Sequence, residues 1–213
     1  MLTLYGARGS GAAAVEAALL VAGVAYRNVE AATWLPGPGL DELKRVNPLG
    51  QIPTLVLDDG SVLSESAAIL IHLGLALPDS GLLPVAAAER AQAVRGLVYI
   101  AANCYAAIGV IDYPERWCAE SDETSAKRIR AGTRARLHEL WDTFADVFAP
   151  RPFLSGERVG ALDLLAAVVS RWSGARAHLA QHRPALHELL VAVDNDARLV
   201  PLFTRHWPPK EKK

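Results

Sequence analysis

The chain has 213 residues, 22 Lys+Arg against 23 Asp+Glu, and a formal net charge of −1. That length supports one large domain or two small ones without disulfide staples, and the balanced charge argues against nucleic-acid binding through a bulk basic field. Hydrophobic residues make up 51%, with 37 alanines carrying much of the share, yet no apolar run of about 18–20 residues reads as a membrane span. No basic cluster followed by an apolar core opens the chain, so no secretory signal is expected. Cys104 and Cys118 form no CxxC pair, zinc pattern or disulfide framework. The expectation is a soluble, cytoplasmic, helix-rich globular protein.

In chain order, 2–5 reads as a buried strand and 6–11 (GARGSG) as a turn of small residues. Residues 12–21 form a helix with Gly23 as its C-cap, and 24–29 a second strand, which makes a β-α-β unit. A short helix over 40–46 ends at Asn47-Pro48. Strands at 54–57 and 61–63 flank the turn Asp58-Asp59-Gly60, a hairpin signal. Ser64-Glu65-Ser66 opens a helix over 67–77. Beyond Pro84 strand signals vanish. Helices are expected over 86–110, 123–149, 162–177, 185–193 and 196–203, with a frayed tail at 208–213. The segment 78–84, with Pro, Asp, Ser and Gly, reads as an interdomain linker.

Three features carry chemistry. Pro53 opens a strand, where a missing N–H is tolerated. A cis Ile52–Pro53 bond would turn the Ile52 N–H and C=O outward, free to pair with an extended peptide; an ordinary trans turn proline is the alternative. Glu65 and Ser66 stand at a helix start. They can cap it, or they can hold a zwitterionic amino-acid group: free N–H groups and the Ser66 hydroxyl for the carboxylate, Glu65 for the ammonium. Ser10 lies at the start of the first helix, where it can serve as an N-cap or stabilise an anion or thiolate. Tyr5, last in a buried strand, reads as core. The six histidines show no ligand spacing beyond a loose His178/His182 pair, so no metal site is expected.

These features stand in one order: LYGARGS, NPLGQIPTL, DDGSVLSESAAILIHL, then an all-helical half. Phe153-Leu154-Ser155-Gly156-Glu157, Asp163, Arg171-Trp172 and Arg183-Pro184-Ala185 extend the pattern. Over nearly its whole length the chain resembles the cytosolic glutathione transferase superfamily, of the bacterial serine/cysteine type. The resemblance implies an α/β thioredoxin-like N-terminal domain (1–77), a linker (78–84) and an all-α C-terminal helical domain (85–213). It also implies a homodimer.

By that resemblance Pro53 matches the cis-proline and Ile52 the residue whose backbone pairs with the cysteinyl part of glutathione. Glu65 and Ser66 match the acidic-Ser pair that binds the γ-glutamyl end, with Gln51 beside them. Ser10 falls at the catalytic position, as a hydrogen-bond donor to the thiolate. A free thiol titrates near about 8.5, so a donor at the sulfur raises the nucleophilic fraction at neutral pH. Tyr105 and Trp117 are expected to line the second-substrate pocket. Glutathione is the implied co-substrate, with no metal, and a small electrophile its partner in a detoxification-type transfer. Two other readings stay open: a binding or scaffold protein with little catalysis, and a glutathione-dependent isomerase or dehalogenase. The family's capping pattern appears here as Gly160-Ala161-Leu162-Asp163, which offers a carboxylate but no hydroxyl at its first position.

Overall fold

A computed structural model describes residues 1–120 and 122–209. Four strands, β1 (Leu2–Gly6), β2 (Tyr26–Glu30), β3 (Thr54–Val56) and β4 (Val62–Ser64), form one sheet in the order β2-β1-β3-β4. β1 and β2 run parallel; β1/β3 and β3/β4 are antiparallel. The parallel pair is joined by α1 (Ala12–Val21), and β2 leads to α2 (Pro38–Val46). The β3–β4 hairpin leads to α3 (Ser66–Ala76). The second strand therefore begins two residues later than the apolar pattern suggests. Val24 instead closes the end of α1, its N–H donating to the Leu19 carbonyl.

α1 is apolar except for Glu16, and Ala12, Ala13, Ala14, Ala17 and Ala18 are fully buried. Small side chains let neighbours pack close all round, so α1 lies between the sheet, α3 and the helical half. The other face of the sheet is covered by α2, with a small cluster of Tyr5, Ala31 and Leu43.

The helical half follows: α4 (Ala87–Tyr99), α5 (Ala106–Asp112), α6 (Glu123–Val147), α7 (Ala161–Val169), α8 (Ala175–His182), α9 (Pro184–Asp194) and α10 (Val200–His206). Between α4 and α5 the chain stays helical through a π-helical segment, Ile100–Tyr105. The run Ala87–Asp112 is thus 26 residues long, and by length and composition it is apolar enough to cross a membrane. Leu97, Ile100, Cys104, Ile108 and Ile111 bury one face of it in the core. A helix was expected over 162–177. It is broken instead at Ser173 and Gly174, which take left-handed backbone with φ of 55° and 83°. α10 starts four residues later than expected, at the residue before Pro201, because proline fits the first turn of a helix but not its interior.

The segment after α3 is not a solvated tether. Leu82 and Leu83 are buried, and the Leu82 carbonyl accepts from the Ala161 N–H at 2.8 Å. Asp163, fully buried at the start of α7, accepts from three backbone amides: Leu154 at 2.7 Å, Ser155 at 3.1 Å and Gly160 at 3.0 Å. The hydroxyl missing at position 160 comes from Ser155, whose Oγ accepts from the Leu162 N–H at 3.3 Å. Both free ends of the capping box are met, one by a residue of the preceding turn.

Candidate active site

The loop before β3 is bracketed from within. Buried Asn47 donates to Thr54 Oγ1 at 2.8 Å and accepts from the Leu49 N–H at 3.1 Å. The Thr54 hydroxyl in turn donates to the Gln51 carbonyl at 2.7 Å. Held in this bracket are Gln51, Ile52 and Pro53, and the Ile52–Pro53 bond is cis. Neither the N–H nor the C=O of Ile52 has a hydrogen-bond partner among the described residues.

Opposite lies the start of α3. Glu65 takes a left-handed φ of 67° just before the helix, and its carboxylate extends from an exposed position. Ser66 is 5% exposed, yet its hydroxyl has no partner among the described residues. Here the first-turn N–H groups and the positive end of the helix dipole face an open space.

That space is a cleft of about 210 Å³ lined by Gln51, Ile52, Pro53, Glu65 and Ser66, with Thr33 and Gly50 beside them and Tyr105 reaching in from the helical half. Five of the six residues expected at the glutathione and catalytic positions therefore converge, as does one of the two expected for the second substrate. Thr33 and Gly50 were not singled out. Gly50 lies inside the stretch NPLGQIPTL (47–55), whereas Thr33 belongs to no motif. Asn47 was read as part of a motif, and its positioning role needed the tertiary contact to appear.

Ser10 is not in the cleft lining. Its hydroxyl donates to the Ala7 carbonyl at 2.7 Å and accepts from the Ala7 and Ala12 N–H groups, each at 3.3 Å. Its donor is committed to the turn. Trp117 lies in a short turn, 66% exposed, and is also absent from the lining. Tyr5 is buried, and its hydroxyl donates to Glu42 at 2.8 Å. Burial lifts the Cys104 thiol to about 12, so it is not a thiolate at neutral pH. His138, His178 and His182 stack face to face, with ring centres 4.4 Å apart in both pairs. Stacked rings set their nitrogens side by side rather than towards a common point, and no group of metal-ligating side chains occurs among the described residues.

A four-stranded β-α-β, β-β-α sheet with a cleft at the proline edge, followed by a helical half, defines the glutathione transferase fold. Residues 1–74 match the family model of the glutathione S-transferase N-terminal domain. The chain is 31% identical over 173 residues to the uncharacterised GST-like protein YncG of Escherichia coli K12, covering 81% of this chain and 82% of that one. It is 29% identical to the glutathione S-transferase GstA of E. coli O157:H7 over 134 residues, 62% of each. Among solved structures it resembles a Sulfitobacter glutathione transferase homologue with bound glutathione (TM-score 0.80, 23% identity, 95% and 96% covered). A glutathione transferase from Methylococcus capsulatus is similar as well (TM-score 0.75, 28% identity, 97% and 98% covered). This chain belongs to the glutathione S-transferase family.

Proposed function

We propose that this protein binds glutathione in the cleft between the 50–53 loop and α3, and adds its thiolate to small electrophiles. The observation that carries the reading is the convergence of unpaired groups on one cleft. The Ile52 peptide edge, the Ser66 hydroxyl, the Glu65 carboxylate and the amide end of α3 all face it without internal partners.

Glutathione needs each of them. Its cysteinyl amide pairs with Ile52 as one more strand would. Its γ-glutamyl carboxylate meets the α3 N-terminus and Ser66, and its ammonium meets Glu65. Gln51 flanks the same end, and Pro53 shapes the edge. The bound thiol gives its proton to water. The sulfur lone pair then forms a bond to an electrophilic carbon, and the leaving group departs with its bonding pair. Family membership supports a homodimer in the cytoplasm, a detoxification-type role and a division into residues 1–77 and 85–213.

A second reading, glutathione binding without turnover, draws on the Ser10 hydroxyl being committed to Ala7. Calorimetry with glutathione tests the first step. Saturable binding is expected, and no binding with Glu65 and Ser66 intact overturns the proposal. A generic aromatic halide then separates the readings: thioether formation supports transfer, and binding without it supports the second.

A further inference from the structure

Tyr105 closes the π-helical segment of the helical half, and such segments recur where a side chain is re-aimed into a site. Its ring packs on Trp172, with centres 5.5 Å apart and planes at 31°. From that support the hydroxyl crosses to the N-terminal half and enters the cleft beside Ile52, Pro53, Glu65 and Ser66. There it meets Gly11, the residue that precedes α1. A Cβ placed on Gly11 would stand 2.7 Å from the Tyr105 hydroxyl and 3.8 Å from Pro53 Cδ. The hydroxyl therefore occupies the corner between Pro53 and the N-terminus of α1, the corner where an anion is favoured. Gly11, with no side chain, makes room for it.

We infer that Tyr105, rather than Ser10, donates the hydrogen bond that holds the glutathione sulfur as a thiolate. The inference rests on the glutathione reading above. Ser10 cannot give its proton to the ligand without leaving the Ala7 carbonyl, whereas the Tyr105 hydroxyl has no acceptor among the described residues. Burial first, then the negative charges of Glu65 and Asp112, raise the Tyr105 phenol above its usual range, against the opposing pull of the Gly11 N–H. The phenol thus stays protonated across neutral pH and acts as a donor, not a base. The thiol proton leaves to water, and the phenolic proton is retained.

Ultraviolet titration of the thiolate, with glutathione saturating and its Kd measured in parallel by calorimetry, tests this on the full-length protein. Tyr105→Phe keeps the ring on Trp172 and removes only the hydroxyl. It should retain glutathione binding and raise the bound thiol pKa by about one to two units, the worth of one charge-assisted hydrogen bond. Gly11→Ala, which crowds the hydroxyl, should shift it in the same direction. Ser10→Ala should shift it less than Tyr105→Phe. A Tyr105→Phe protein that binds glutathione and titrates like wild type overturns the inference, as does a larger shift in Ser10→Ala. Failure of the wild-type protein to bind glutathione overturns the underlying reading instead, and calorimetry alone shows which has failed.

Discussion

Ser66 and Asn47 show how differently two polar side chains can serve one cleft. Ser66 is buried at the head of α3 with an idle hydroxyl, so it adds little to folding. Ser66→Ala should leave the thermal midpoint near wild type and weaken glutathione binding by about ten- to a hundredfold, since one hydrogen bond to a charged group is worth ~1.5–3 kcal/mol. Calorimetry and a melting curve check both halves. Asn47 touches no cleft surface but holds both Thr54 and the Leu49 amide. Asn47→Ala leaves buried partners unpaired, so it should cost about 2 kcal/mol of stability and weaken binding together. Denaturant titration and calorimetry on the same variant read the two effects.

At the level of elements, Asp163 fastens the turn at 153–160 to the head of α7. Burial lifts its carboxyl above the ordinary carboxylate range, while Ser155 and the amides of Gly160, Leu154 and Ser155 pull the other way. Asp163→Ala strands three amides in the core, and a loss of about 3 kcal/mol or more in denaturant unfolding is expected. Asp163→Asn keeps one acceptor oxygen and should lose less. The motif announced a carboxylate at the third helical position, and that much was legible. Its second half was not, because Ser155 lies outside the local four-residue pattern and reaches it only through the fold.

On the scale of the whole molecule, α10 reaches back to the first strand–helix junction. The Gly9 N–H donates to His206 Nδ1 at 3.1 Å, and His206 Nε2 bonds Glu16 Oε1 at 2.9 Å, which makes Nε2 the protonated nitrogen. Arg205 pairs with the same carboxylate, and the Tyr26 hydroxyl donates to it at 3.0 Å. Burial alone would raise the Glu16 carboxyl, but His206, Arg205 and Tyr26 together hold it below its usual value. A depressed folded pKa stabilises the protein above the unfolded value of about 4.3, and that stability is lost as the pH falls through the folded pKa. Unfolding free energy should therefore drop on acidification below about pH 4, with a smaller drop in Glu16→Gln. Chemical denaturation over a pH series measures it.

The alanine-rich composition, the strand and helix order of the first 80 residues, and the grouping of Gln51, Ile52, Pro53, Glu65 and Ser66 were all readable from the chain. Local periodicity, proline position and helix-start chemistry act within a few residues. The apolar texture of 162–169 ends at Ser170, and Arg171, Ser173 and Gly174 mark the break at Ser173–Gly174 in the chain itself, a glycine signal that reading 162–177 as one helix passed over. Which hydroxyl faces the cleft was decided only by tertiary structure. Ser10 has the right position in the chain, but its own turn supplies a closer acceptor. Tyr105 lies some 95 positions further on, and a π-helical segment and the packing of Trp172 aim it across to Gly11. A donor's direction depends on which acceptors surround it, and those come from segments that only folding brings together.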